Sequence, residues 1–83
     1  MRYLIIAMRT PEFQQSAIEP HKQYLAQLKR QGSLELTGPF TDKSGGAYLI
    51  TAENLESAQA IAFDDPIHKS GSSVLTVYEW DAS

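Results

Sequence analysis

A histidine and an aspartate are the two residues of this sequence whose types and positions suggest acid–base chemistry. His21 lies on a stripe of apolar residues at helical spacing, so we expect its ring to face inward. Asp65 precedes Pro66, where a second predicted helix ends. If the two helices run antiparallel, Asp65 could fix the tautomer of the imidazole while the other ring nitrogen transfers a proton.

Each of these residues also has a structural interpretation. A lone histidine on an apolar face is more often a structural residue, and acids at a helix end are often solvated. Asp42 is a further candidate, but it lies in a segment rich in turn formers, which favours a turn aspartate. His68 is expected in an exposed loop. The two histidines lack metal-ligand spacing and the chain has no cysteine, so we expect neither a metal nor another cofactor.

The elements that must position these residues follow from the apolar pattern. Apolar runs and alternation predict four strands, at residues 3–8, 34–37, 47–51 and 74–80. A first helix is predicted within residues 11–31, and it either kinks at Pro20 or begins there. A second helix is capped by Asn54 and stopped by Pro66. The order β-α-β-β-α-β predicts a ferredoxin-like α+β fold, a four-stranded antiparallel sheet with two helices on one face.

The second face of this sheet predicts self-association. The first and third strands carry apolar side chains on both faces, whereas two helices cover only one. The 83 residues form one predicted domain, 1–83, which is small enough to be marginally stable, and it has no cysteine to form a disulfide. We therefore expect a homodimer, or a higher even oligomer, in which a second subunit covers the sheet.

Composition argues against two classes of partner. The net charge of −3 is unlike the basic face of nucleic-acid-binding proteins. An RNA-recognition domain shares the strand order, but the third strand offers a single aromatic residue, Tyr48. The apolar run near the N-terminus is too short for a signal peptide or a membrane span. We expect a cytoplasmic protein that binds neither nucleic acid nor membrane.

The chain as a whole resembles the YCII-related (YciI-like) family. The resemblance is carried by Pro20, His21, Tyr24, Leu25, Leu28, Gly32, Gly38, Pro39, Gly45, Gly46, Ser57, Ala58, Asp65, Pro66 and Gly71. It implies a ferredoxin-like fold that pairs into a dimeric α/β barrel like that of muconolactone isomerase, with an active site built around His21 and Asp65. Some members are dehydrochlorinases that act on chlorinated hydroxylated aromatics.

Substrate contacts are expected at Gly38, Pro39 and Asp42. Two positions depart from the usual pattern of the family. Ile67 stands where an aromatic residue is usual, and Phe40 stands where an aliphatic residue is common. Both changes indicate a reshaped wall of the site, so the identity of the substrate does not transfer.

Two functions are consistent with these features. The first is a cofactor-free enzyme of the lyase or isomerase type that acts on a small cyclic or aromatic molecule, with His21 as the general base or acid and Asp65 orienting it. The alternative is a non-catalytic dimeric module that binds a small ligand or another protein.

Overall fold

A four-stranded antiparallel sheet with helices packed on it forms the fold in the computed structural model, which describes residues 1–83. The elements are β1 (Arg2–Arg9), α1 (Ile18–Arg30), β2 (Leu34–Pro39), β3 (Gly45–Thr51), α2 (Leu55–Phe63), α3 (Pro66–Lys69) and β4 (Ser73–Trp80), with a 3₁₀ turn at Gln15–Ala17. The strand order is β2-β3-β1-β4, and all neighbours are antiparallel. The predicted ferredoxin-like α+β fold is confirmed. None of the helices has the length and apolar character that crossing a bilayer requires.

The position of Pro20 decides how α1 begins. The helix starts at Ile18, so Pro20 lies in its first turn, where the N–H group that proline lacks would have no partner within the helix. Of the two predicted alternatives, the kink is wrong. The chain before the helix forms a short 3₁₀ turn, as in the other alternative, but the helix begins two residues before Pro20. At the other end Gly32 adopts a φ of +81°, which ends the helix as predicted.

A short third helix, α3, follows α2 and was not predicted. Pro66 ends α2 but also occupies the first position of α3, because its fixed φ suits a helix start. The Asp65 carboxylate caps this helix by accepting the N–H of Ile67 at 2.9 Å. This explains the two adjacent acids, since Asp65 belongs to the start of a helix rather than to the end of one. Asp64 is exposed and pairs with Lys69 at 3.3 Å.

The two faces of the sheet differ in what covers them. The core lies between the sheet and the helices and is formed by Tyr3, Ile5, Ala7, Leu25, Leu28, Tyr48, Ile50, Ala58, Ala62, Ile67 and Leu75. On the outer face the strand register aligns Leu36, Leu49, Leu4 and Tyr78 in one row across all four strands. Leu36 is 69% exposed and Tyr78 is 53% exposed. This outer apolar row is the surface for which the sequence predicted a partner.

Candidate functional site

A cavity of about 430 Å³ lies between the start of α1 and the helix-covered face of the sheet. His21, Lys22 and Leu25 line it from α1, and Ala7 and Tyr48 line it from β1 and β3. Gly45 and Gly46 let the β3 backbone form the wall, since a Cβ at Gly45 would overlap the carbonyl oxygen of Ala7. The volume falls within the roughly 300–1,000 Å³ that is usual for small-molecule sites.

The Asp65 carboxylate is the polar centre beside this cavity. It has no exposed surface, and it accepts hydrogen bonds from three different elements. His21 Nδ1 lies 2.9 Å from Oδ1 and 2.8 Å from Oδ2, the Tyr48 hydroxyl donates to Oδ2 at 3.0 Å, and the Ile67 N–H donates to Oδ1. The buried charge is therefore compensated by donors from α1, β3 and α3.

The contact with Asp65 fixes which nitrogen of His21 carries the proton. A carboxylate only accepts hydrogen bonds, so Nδ1 must be the donor and a neutral ring keeps its lone pair on Nε2. Nε2 is not buried and has no hydrogen-bond partner in the protein, and the side chain is 18% exposed where it lines the cavity. The arrangement presents a proton acceptor to whatever occupies the cavity.

Two tyrosines near the carboxylate stay neutral at physiological pH. Burial raises the pKa of Tyr48 far above its ordinary value, and the negative charge of Asp65 raises it further. Burial, with Asp64 and Asp65 adding to the effect, raises the pKa of Tyr24 to about 12. The Tyr24 hydroxyl donates to the Ile61 carbonyl at 2.7 Å, whereas the Tyr48 hydroxyl donates to the carboxylate of Asp65.

The remaining sequence candidates separate into two groups. Gly38 and Pro39 line the cavity, as expected of residues that contact a ligand. Asp42 does not line it. Its exposed carboxylate accepts the Ser44 hydroxyl at 2.6 Å and the Ser44 N–H at 2.9 Å, and these bonds lower the pKa of Asp42. These bonds favour the turn interpretation of Asp42, and its expected substrate contact stays a prediction that the lining of the cavity does not support.

The second histidine, His68, lies in α3 and does not line the cavity. It was expected to be exposed, but it is half-buried. The His68 ring packs on Phe63, with the ring centres 4.8 Å apart, and its Nδ1 is buried without a hydrogen-bond partner. His68 follows Ile67 in α3, a helix that was not predicted from the sequence. Its position in this helix explains why it is half-buried. No group of three or more His, Cys, Asp or Glu side chains is close enough to hold a metal ion.

Five polar residues that line the cavity were not among the predicted site residues. They are Arg9, Gln15, Lys22, Thr37 and Ser73. Arg9 could have been found, because it continues the alternation that places Tyr3, Ile5 and Ala7 on the helix side of β1. The other four gave no comparable signal.

Comparisons with known proteins place the chain in a family. The model of the YCII-related domain matches residues 1–81. The chain belongs to the YCII-related family. It is 45% identical over 78 residues to Uncharacterized protein YjpA of Bacillus subtilis (strain 168), across 94% of this chain and 92% of YjpA.

A solved structure shares the fold. It is 5-chloro-2-hydroxyhydroquinone dehydrochlorinase (TftG) from Burkholderia phenoliruptrix AC1100, in complex with 2,5-dihydroxybenzoquinone. The TM-score is 0.77 at 22% identity, and the similarity covers 100% of this chain and 96% of TftG.

The two positions that were expected to depart from the family pattern, Ile67 and Phe40, lie on different sides of the sheet. Ile67 lines the cavity, so a branched aliphatic side chain forms part of its wall. Phe40 lines a shallow depression on the outer face, together with Leu36 and Trp80. Ile67 is thus placed to shape the cavity, whereas Phe40 does not line it, and the reshaping of the site stays a prediction.

Proposed function

We propose that the protein is a cofactor-free enzyme of the lyase or isomerase type that acts on a small cyclic or aromatic molecule. His21 is the group that moves the proton, and Asp65 holds it in position. The observation that carries the proposal is the hydrogen bond of His21 Nδ1 to a fully buried carboxylate, with Nε2 left free at the cavity.

The proton transfer follows from this tautomer. Nε2 takes a proton from a hydroxyl group or an sp³ carbon of the substrate, and the electron pair of the broken O–H or C–H bond stays on the substrate. In an elimination that pair forms a double bond and expels the leaving group. In an isomerisation the imidazolium returns the proton to a different carbon. Asp65 stabilises the imidazolium in both cases, because the ring gains its positive charge beside a carboxylate.

The named activity of TftG, which shares the fold, supports a small cyclic or aromatic molecule as the substrate class. TftG is named as a dehydrochlorinase of a hydroxylated aromatic compound, and its complex contains a dihydroxylated quinone. The cavity of about 430 Å³ accommodates a ring of that size.

Chloride release from 5-chloro-2-hydroxyhydroquinone tests the catalytic proposal. We expect His21→Gln to lower the rate about 10²–10⁴-fold, which is the usual contribution of a positioned acid or base. The matched control is His68→Gln, which removes the histidine that does not line the cavity. Equal rates for wild type and His21→Gln would remove His21 from the mechanism. Binding of 2,5-dihydroxybenzoquinone with no chloride release, and with the same affinity in His21→Gln as in the wild type, would instead favour the non-catalytic binding module.

A second test does not depend on the substrate. The ¹⁵N shifts of the ring nitrogens report the tautomer, and we expect the proton of neutral His21 on Nδ1 in the wild type. Asp65→Asn should release this preference, because an amide can present either an acceptor or a donor to Nδ1. A wild-type His21 with its proton on Nε2 would contradict the proposal.

We further propose that the protein acts in the cytoplasm as a homodimer in which the outer sheet faces of two copies meet. Support for the dimer comes from the outer apolar row, whose Leu36 and Tyr78 are mostly exposed in the single chain. Leu36→Glu should give a folded monomer in light scattering. Leu55→Glu is the matched control, because Leu55 is 42% exposed but belongs to α2. A wild-type monomer at micromolar concentration would overturn this proposal.

A further inference from the structure

Two positively charged side chains, Arg9 and Lys22, line the cavity without an acidic partner. The ion pairs of the chain are Arg2 with Glu35, Lys69 with Asp64, and His21 with Asp65. No acidic residue lines the cavity. In a protein with a net charge of −3, this concentration of unpaired positive charge at one cavity is a local departure from the overall charge.

The fold holds Arg9 at the cavity while leaving its hydrogen-bonding groups unused. Arg9 is the last residue of β1 and lies on the helix-covered face, like Ala7 two positions before it. Its guanidinium carbon is 4.1 Å from the centre of the Phe13 ring. Stacking on an aromatic face orients a guanidinium but leaves its N–H donors, which point outward in its plane, free to bind a ligand.

A buried hydroxyl without a partner lies next to Arg9. Ser73 is directly opposite Arg9 in the pairing of β1 with β4, and it also lines the cavity. Its Oγ is buried and has no hydrogen-bond partner in the protein. Buried hydroxyls are normally paired, so an unpaired one at a cavity wall indicates a place for a ligand atom.

Asp65 forms no ion pair with Arg9 or Lys22, because its two carboxylate oxygens accept hydrogen bonds from His21, Tyr48 and the Ile67 N–H. A ligand group that approaches Arg9 therefore meets a cation with no acidic partner and with free N–H donors, which favours an anionic oxygen.

We propose that Arg9, assisted by Lys22 and Ser73, binds the negative charge of a small cyclic anion, so the site selects anionic rings over neutral rings of the same shape. The charged group is a carboxylate or an ionised enolic or phenolic hydroxyl. The inference rests on the proposed function and names its substrate class. The same cation stabilises the negative charge that develops on the ring when His21 removes a proton.

Binding of matched pairs of rings tests the proposal without a need for turnover. The carboxylate pair is benzoate and benzamide. The enolic pair is 2,5-dihydroxybenzoquinone, which is ionised at neutral pH, and the neutral 2,5-dimethoxybenzoquinone. Calorimetry should show at least one anion binding about tenfold or more tightly than its neutral counterpart, with the preference weakening as salt is raised.

Variants test whether Arg9 causes the preference for anionic rings. Arg9→Gln should abolish most of the discrimination, Arg9→Lys should keep part of it, and Lys22→Gln should reduce it by a smaller factor. Arg2→Gln is the matched control, because Arg2 is exposed on the same strand and paired with Glu35 outside the cavity. The pair that loses more in Arg9→Gln identifies the charged group.

The outcomes separate this proposal from the catalytic one. Equal binding of anionic and neutral rings by the wild type, or an unchanged preference in Arg9→Gln, overturns the anion proposal even if His21 proves essential for turnover. Conversely, His21→Gln should keep the anion preference. An Arg9-dependent preference in a protein without activity would overturn the catalytic role and leave the anion site in place.

Discussion

Replacing Tyr48 by phenylalanine tests whether the Asp65 carboxylate depends on all of its donors. The ring of Tyr48 is buried in the core, and its hydroxyl donates to Asp65 Oδ2 at 3.0 Å. Tyr48→Phe keeps the ring and removes only this hydroxyl. The carboxylate retains its bonds from His21 and Ile67 but loses one of the groups that compensate its burial.

The size of the effect follows from the charge of the acceptor. Hydrogen bonds to charged groups contribute about 1.5–3 kcal/mol, whereas bonds between neutral groups contribute about 0.5–1.5 kcal/mol. The chain offers a matched neutral case, because the Tyr24 hydroxyl donates to the carbonyl of Ile61 at 2.7 Å. We expect Tyr48→Phe to lower the free energy of unfolding by about 1.5–3 kcal/mol, and Tyr24→Phe by about 0.5–1.5 kcal/mol.

Urea unfolding followed by circular dichroism measures both values, at one protein concentration because self-association would shift them. A double-mutant cycle then locates the cause. In the Asp65→Asn background, Tyr48→Phe should cost about 1 kcal/mol less than in the wild type, because the acceptor is no longer charged. Equal costs for the two tyrosines, or no coupling between Tyr48 and Asp65, would refute the idea that the carboxylate is held by charge-assisted bonds.

Three further predictions concern the rest of the fold. Gly45→Ala should lower the free energy of unfolding by about 1–3 kcal/mol, because the new methyl group overlaps the backbone of β1, while Gly38→Ala serves as the control with open space around it. Asn54→Ala should cost about 1 kcal/mol in thermal or urea unfolding, since the Asn54 side chain caps α2. The pKa of Tyr24 is about 12 in the folded state against an ordinary 10.0, so the unfolded chain loses this proton first. Stability should therefore be complete below pH 10 and fall as the pH rises towards 12, and Tyr24→Phe should make that fall shallower.

The sequence was sufficient for the fold because its local signals agree with one another. Apolar alternation, the proline and glycine positions and the Asn54 cap all point to the same order of elements, and the structure confirms that order. The pairing of His21 with Asp65 was a weaker inference, since it required two antiparallel helices to meet at a particular end. The structure places these side chains in contact across 44 positions of sequence, and their catalytic role stays a prediction.

The structural features that the sequence did not predict share a physical cause. Helix α3 has only four residues, too few for any periodicity to be visible, so the cap formed by Asp65 and the burial of His68 were not anticipated. Tyr48 lies on a strand that is apolar on both faces, so alternation could not show which face its hydroxyl would reach. Contacts made by single polar groups across the core depend on the final packing rather than on local pattern.

The burial of Asp65 is difficult to explain by stability alone. A carboxylate with no exposed surface loses its hydration, and apolar residues of similar volume in place of a buried ion pair are often neutral or stabilising. In a small chain without cysteine, an apolar group at this position would be the simpler way to join α1, β3 and α3. What an apolar group cannot do is fix the proton of His21 on Nδ1 and stabilise the ring when it becomes charged. Asparagine separates the two roles, because it remains a good helix cap but no longer enforces the tautomer. Under the proposed function, the carboxylate is therefore retained for its effect on His21, and its bonds to Tyr48 and Ile67 keep it buried.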